Sequence, residues 1–323
     1  MESFAANPFR YFLDRVLRVE RPDPPGLRED RMNRGTAMHA VLARAYRRTM
    51  GEDGIDPTLE LLREEVASMK PRGRLLARWH EGLWETERAL LAAWSEAFPA
   101  QAATYRSDFG SNWDEGPSTS QLEAAFGYRT PEEEDEVVHR DDRPDAARFP
   151  NRPDGVPVTG RIDRLDVGTI EGETAYNIVD YKTGSSLPKF AAEQIAGGTS
   201  LQLALYAIAA KRCGLVPADA VARFLVYWGV KEEGPKNGVS NGRKKCVEEL
   251  LPTLEDDLDA IVPRLAEAIR GGVFPISPEK AETQVFSDHA RVGRAAEVRA
   301  VAERLEKWPP PWHPAAEESD DDE

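Results

Sequence analysis

Apolar positions in this chain recur with a helical period, then a strand period, then a helical one again. After Asn7-Pro8, residues Phe9, Phe12, Leu13, Val16 and Leu17 fall on one helix face, with Asn7 placed as the cap and Pro8 in the first turn. Arg10, Arg15 and Arg18 lie largely off that face, and Pro22 to Gly26 end the element. A second helix is predicted from Thr36 to Thr49. Its buried face is Met38, Val41, Leu42 and Ala45, with His39 and Tyr46 together at the border. Helical spacing continues over 58–98, and 107–119, rich in Gly, Ser, Asp and Asn, reads as a loop. Alternation with period two then marks strands over 121–129, 156–167 and 175–182, with an acidic, Pro-bearing surface loop at 131–155. A helix over 200–213 and a strand over 220–230 follow. Turn chemistry covers 231–242 (Gly234-Pro235, Asn237-Gly238), Lys244 to Glu248 returns as a strand, and helices cover 253–270 and 288–306. No internal repeat is present. This order predicts an α/β fold: a central mixed sheet flanked by helices, with a helical extension at the N-terminus.

Composition narrows the class. A chain of 323 residues, 41% hydrophobic, can bury a sizeable core. No apolar run approaches the roughly 20 residues of a membrane span, and the Arg-rich, aromatic N-terminus lacks the apolar stretch of a secretory signal. Two cysteines, Cys213 and Cys246, cannot build a disulfide framework or a four-cysteine metal site, so a reducing, cytoplasmic location and no membrane contact are expected. The net charge of −15 speaks against a nucleic-acid partner, but its distribution does not. Six acids lie in Glu317–Glu323 and five in Glu132–Glu136, whereas residues 1–50 hold ten Arg against six acids, a net of +4. Arginine is the better bidentate phosphate binder. The acid excess fits a solvated surface equally well.

One segment carries chemistry. In Asn177-Ile178-Val179-Asp180-Tyr181-Lys182-Thr183-Gly184, alternation puts Asp180 and Lys182 on one strand face with Tyr176 and Ile178, and Asn177, Val179 and Tyr181 on the other. Gly160-Arg161-Ile162-Asp163-Arg164 precedes it by less than twenty residues, so a paired strand brings Asp163 to the same spot. Two carboxylates suit Mg²⁺ or Mn²⁺, and a lysine beside them suits a phosphate or a nucleophilic water. A lone D-x-K is usually a surface ion pair; the apolar lead-in, the Thr-Gly exit and the upstream Asp set this one apart. His39 can reach such a site from its helix border, although a solitary helix histidine is more often structural; the other four histidines have no companion pattern. Gln202 and Tyr206, four apart, share a helix face beside Leu201, Leu205 and Ile208 and can orient Lys182, a ligand or a phosphate. Arg161 and Arg164 fall on opposite strand faces, for a phosphate contact or for charge balance, and Glu123 is a weaker candidate for the metal shell.

Taken in order, Gly35-x-x-x-His39, Gly160-Arg161-Ile162-Asp163-Arg164, Asp180-Tyr181-Lys182-Thr183-Gly184 and Gln202-x-x-x-Tyr206 resemble the PD-(D/E)XK nuclease superfamily in its RecB-like branch. Asn7-Pro8-Phe9-Arg10-Tyr11-Phe12-Leu13 resembles the arm that opens the nuclease domain of AddB-type helicase–nucleases. The resemblance implies a restriction-endonuclease-like core and one nuclease domain over 1–308: arm and insertion 1–120, α/β core 121–275 and a C-terminal helix 276–308, then a disordered acidic tail 309–323. It implies metal binding by His39, Asp163, Asp180 and the carbonyl of Tyr181, catalysis by Asp163, Asp180 and Lys182, and accessory or substrate contacts from Gln202, Tyr206 and Arg161. The implied activity is metal-dependent DNA hydrolysis, exonucleolytic rather than endonucleolytic, in end processing, repair, recombination or defence, beside a helicase subunit or domain. A non-catalytic DNA-binding module on the same fold is the alternative. Many relatives hold an iron–sulfur cluster between a cysteine before the arm's proline and a C-terminal cysteine group. Here the first position is Asn7 and no cysteine follows Pro275, so no cluster is expected, and the Phe9/Phe12/Leu13/Val16 face is expected to dock the arm instead. No Walker A motif is present.

Overall fold

A computed structural model describes residues 1–19, 31–50, 56–70, 78–127, 146–184, 187, 192–231, 233–238 and 247–275. The chain begins with two short helices, α1 (Glu2–Ala6) and α2 (Pro8–Tyr11), and a π-helical turn Phe12–Val16. Four helices follow: α3 (Arg31–Thr49), α4 (Leu59–Ser68), α5 (Arg78–Ser95) and α6 (Phe98–Phe109). The core then alternates: β1 (Glu115–Phe126), β2 (Ala147–Phe149), β3 (Val156–Val158), β4 (Gly160–Ile170), β5 (Glu173–Lys182), α7 (Ala192–Ala196), α8 (Gln202–Arg212), β6 (Val221–Gly229), β7 (Gly234–Asn237) and α9 (Leu251–Arg270). The main sheet has the order β1-β4-β5-β6-β7, with β5 and β6 parallel and every other pair antiparallel; β2 and β3 form a separate ribbon. The expected α/β architecture with a central mixed sheet is therefore present.

The sheet separates two apolar layers. Ile162, Leu165, Tyr176, Ile178 and Leu225 face one of them, with Leu203, Ala204 and Ile208 of α8, Leu258 and Leu265 of α9, and Phe4 of α1. Val179, Tyr181, Val226 and Trp228 face the other, with Met38, Val41, Leu42 and Ala45 of α3, Leu62 and Val66 of α4, and Phe98 and Tyr105 of α6. From Ala175 to Tyr181 every residue of β5 is buried, as a central strand covered on both faces requires. The alternation read from the sequence is the one observed: Tyr176 and Ile178 on one side, Val179 and Tyr181 on the other. Two adjacent strand termini, those of β4 and β5, are thereby placed beside α3 on one side and α8 on the other.

Several expectations change. The 58–98 helix is α4 and α5 with the first residue of α6: α4 ends before Met69-Lys70 and α5 before Glu96-Ala97, and Ala97 and Pro99 allow α6 to start afresh. The 107–119 loop is the end of α6 and the start of β1, which begins at Glu115 because the sheet supplies partners that local composition does not reveal. The end of the 131–155 loop contributes β2, paired with β3, while 128–145 lies outside the described residues. Within the expected turn at 231–242, Gly234–Asn237 pairs with β6. Tyr46 is buried, not at the border of α3, and hydrogen-bonds Asp56 and Arg164. Arg164 is likewise 2% exposed, held by both oxygens of Asp166 at 2.7 Å, so it cannot meet a phosphate. Of the strand expected at Lys244 to Glu248, Val247 and Glu248 form a bend and turn instead; the rest of it with Cys246, the helix at 288–306 and the tail lie outside the described residues.

The arm follows its capping pattern: the Asn7 side chain accepts the Arg10 N–H at 2.9 Å, with Pro8 first in α2. Its docking face differs from the one expected. Phe4, Tyr11 and Phe12 gather around Phe274, at ring separations of 5.9, 6.3 and 5.0 Å, and Leu13 is buried, but Val16 is 49% exposed. The π-helical turn widens the spacing after Tyr11, which carries Val16 off the face that a regular helix would give it.

Candidate active site

Local backbone explains how the acids converge. Phe126 and Ala124 of β1 belong to the α8 side of the sheet, as does Ile162 of β4, whereas Leu122 and Arg164 face the α3 side. Strict alternation would keep positions 122 and 124, and 162 and 164, on the same face. Both strands therefore change phase at the same level, where Glu123 lies across from Asp163 between the pairs Leu122–Arg164 and Ala124–Ile162. Glu123 takes the left-handed conformation there, φ +53°, which glutamate rarely adopts. The paired irregularity takes both carboxylates out of the regular pleat and toward His39 of α3. One donor atom each from His39, Glu123 and Asp163 lies within 4.8 Å of the others.

Glycines allow the close approach. A Cβ on Gly35 would stand 3.1 Å from the Thr183 hydroxyl, so α3 packs against the end of β5 one helical turn before His39. A Cβ on Gly160 would meet the Phe126 ring at 2.6 Å and Tyr206 at 3.2 Å, so this glycine makes room for the tyrosine of α8.

Asp163, 7% exposed, accepts the backbone N–H of Tyr181 at 2.9 Å through one oxygen and stands 3.4 Å from His39 Nδ1 through the other. A side chain thus closes the gap where the β4–β5 ladder stops at Arg164–Val179. Asp180 is 1% exposed. Its Oδ1 accepts from Gln202 Nε2 at 2.7 Å; its Oδ2 lies 2.6 Å from Lys182 Nζ as an ion pair but has no partner in hydrogen-bonding geometry. Lys182 Nζ donates to Gln202 Oε1 at 2.9 Å, and Gln202 Nε2 also reaches the Tyr206 hydroxyl at 3.2 Å. Arg161 is engaged by Glu123 at 2.8 Å.

The electrostatics are those of crowded negative charge. Burial and then the Asp163 charge push the Asp180 carboxyl up to about 7, against the pull of Lys182. Burial and Asp163 also raise Glu123. Burial depresses His39, but its hydrogen bond to Asp163 and the charges of Asp163, Asp180 and Glu123 outweigh that and raise it. Beside burial, all three shifts share a contribution from the neighbouring carboxylates.

Apart from Arg164, the structure thus brings together the residues singled out from the sequence, in two groups: His39, Glu123, Asp163 and Arg161 on the α3 side, and Asp180, Lys182, Gln202 and Tyr206 on the α8 side. Tyr181 joins them through its backbone, while its ring is buried in the α3-side layer. Glu123 moves from the margin to the centre of the first group. Two further neighbours escaped the sequence. Tyr227 lies beside Asp180 in the parallel β5–β6 register, its ring 5.5 Å below Lys182 Nζ; strand alternation from Leu225 could have found it. Glu2 reaches α8 from the arm, and no local signal marks it.

Hard carboxylate oxygens with one imidazole nitrogen, gathered from three elements around a surplus of negative charge, fit a divalent cation. Ligands about 2.1 Å from such an ion stand at most ~4.2 Å apart, so the observed spacing needs only small adjustment.

The sheet, its helical layers and this acidic site define a nuclease core of the restriction-endonuclease type, and the sequence pattern of the PD-(D/E)XK nuclease superfamily matches residues 1–284. The chain belongs to that superfamily, whose nucleases use divalent metals. It is also similar to an ATP-dependent helicase/deoxyribonuclease subunit of Carboxydothermus hydrogenoformans, with 39% identity over 69 residues, 20% of this chain and 6% of that protein. The match thus spans a small part of the relative's length. No helix among the described residues is long and apolar enough to cross a membrane.

Proposed function

We propose that this chain is a divalent-metal-dependent deoxyribonuclease that hydrolyses phosphodiester bonds, acts as an exonuclease, and serves DNA end processing in repair, recombination or defence. The observation that carries this reading is the convergence of His39, Glu123 and Asp163 within 4.8 Å, beside a lysine held on Asp180 and Gln202. In this reading His39, Glu123, Asp163 and Asp180, with the Tyr181 carbonyl, hold Mg²⁺ or Mn²⁺. When bound, the ion polarises the phosphoryl group and lowers the pKa of a water. The protein's own groups do the rest. Lys182 presents its remaining hydrogens to the water or to the phosphate under attack, where they offset the charge of the transition state. Gln202 ties Lys182 to Asp180, so the amine cannot swing away between turnovers. The Tyr206 hydroxyl and Tyr227 ring limit its remaining freedom. Arg161, paired with Glu123 at the site's edge, is the nearest guanidinium for a DNA phosphate. The similarity to a helicase/deoxyribonuclease subunit supports a helicase as partner.

The test is cleavage of end-labelled linear and circular DNA, single- and double-stranded, with Mg²⁺, with Mn²⁺ and with chelator. The expected result is metal-dependent degradation of linear substrates with circles spared. Binding without cleavage under every metal condition would overturn the reading in favour of a non-catalytic DNA-binding module. Cleavage of closed circles would overturn its exonuclease part.

A further inference from the structure

Helix α8 delivers Gln202 and Tyr206 to the site, yet nothing within α8 caps its first turn. The N-cap residue is Leu201, which has no side-chain oxygen to accept the exposed N–H groups of a helix start. The acceptor comes from the other end of the chain. Glu2 Oε1 receives the backbone N–H of Leu201 and that of Gln202, the latter at 2.8 Å, across about 200 positions of sequence. The arm that carries Glu2 is anchored independently of this contact: Phe4 is fully buried in the α8-side layer, and the Phe4, Tyr11 and Phe12 rings surround Phe274. Glu2 is therefore presented to α8 by a docked scaffold.

The next link is direct. Gln202 has both ends of its amide committed, its oxygen to Lys182 and its nitrogen to Asp180 and Tyr206. Only one placement of the backbone and one amide orientation satisfy all three. A carboxylate at the start of an 11-residue helix is also favoured by the helix dipole.

We infer that Glu2 is a positioning residue of the active site: by capping α8 from the N-terminal arm, it holds Gln202 in the orientation that ties Lys182 to Asp180. This rests on the nuclease reading above for its effect on rate, and on geometry alone for its effect on Gln202. Loss of the cap lets the first turn drift, and a misplacement of about 1 Å in a site of this kind costs up to ~100-fold in rate.

Glu2→Ala in the full chain is the test, with Glu2→Met as the length-preserving substitute should the alanine protein fail to fold. The expected result is a kcat lower by about 10- to 100-fold with KM for DNA unchanged, and faster hydrogen exchange at the Leu201 and Gln202 amides. Glu2→Gln, which keeps an acceptor oxygen, restores most of the rate. Added to Gln202→Ala, the Glu2→Ala change causes no further loss, because both act through one amide. Wild-type kcat in Glu2→Ala, losses that multiply in the double variant, or unchanged exchange at both amides would each overturn the inference. If the wild-type protein cleaves no DNA in Mg²⁺ or Mn²⁺, it is the nuclease reading that fails. Glu2 is then judged by NMR on the Gln202 side-chain amide: a shift in Glu2→Ala upholds its positioning role, and an unmoved signal rejects it.

Discussion

Asp163 and Asp166 lie three residues apart on β4, both buried, at 7% and 0% exposure, and they meet opposite surroundings. Asp166 is fully answered. Arg164 binds both its oxygens at 2.7 Å, Tyr105 donates a hydroxyl at 2.7 Å, and Asn177 braces Tyr105 at 3.0 Å. The Arg164 guanidinium lies over Tyr46 and Tyr105 at 4.3 and 4.9 Å. Burial works against that charge, but Asp166 and the surrounding phenols outweigh it and hold the guanidinium firmly protonated. Asp163 instead shares its neighbourhood with Glu123 and Asp180. Against these three carboxylates stand Lys182, Arg161 and an imidazole, and Asp180 keeps one oxygen without a hydrogen bond. The lesson is that burial of a charge does not mark a site; imbalance does. A neutralised pair is a brace between layers, whereas surplus negative charge on strained strands is what a cation completes.

That contrast can be broken from either side. The largest expected effect is on chemistry: Lys182→Ala lowers DNA cleavage by about 10²–10⁴-fold while the melting temperature stays near wild type, since Lys182 is partly exposed. Wild-type cleavage would remove Lys182 from the machinery. Next is the brace. Asp166→Ala leaves Arg164 buried and unpaired and is expected to lower stability by about 3–5 kcal/mol in denaturant titration, with the rate per folded molecule unchanged. Adding Arg164→Met should recover part of that loss, and failure to recover any would show that Arg164 is not the destabilised partner. Third, Asp163→Asn should weaken Mn²⁺ binding by at least about tenfold in calorimetry, whereas Asp166→Asn should leave it alone.

The smallest effect is on stability against pH. The Asp180 carboxyl is raised to about 7 by burial and then by Asp163, so the fold favours its neutral form. That contribution is fully present below the ordinary carboxylate range near 3.8 and is lost as pH rises through about 7. In chelator, Asp180→Asn should therefore gain on the wild type as pH rises from 4 to 8. A difference in stability that does not vary with pH would show that Asp180 is not carrying this strain.

Much of the site was legible because strands and helices impose short periods. That Asp180 and Lys182 point the same way follows from their spacing of two on β5, and that Gln202 can meet Tyr206 follows from their spacing of four on α8; both hold. The buried face of α3 was equally readable, and with it the place of His39. Other residues were hidden for definite reasons. Tyr46 belongs to the buried face of α3 because Arg164 and Asp56 satisfy its hydroxyl, and neither is near it on the helix. The orientation of Arg164 depended on a phase change in β4 that alternation cannot foresee. Glu123 depended on the same change in β1 and on a left-handed backbone at its own position.

The α/β class and the facing of Asp180 with Lys182 were readable from spacings within single elements, and the family from the order in which such motifs follow one another along the chain. Only the tertiary structure decided which of the buried charges are neutralised, that Glu123 joins His39 and Asp163, and that Glu2 caps the helix bearing Gln202. Those contacts join elements far apart in sequence, and hydrogen bonds and charges act through space, where local patterns carry no information.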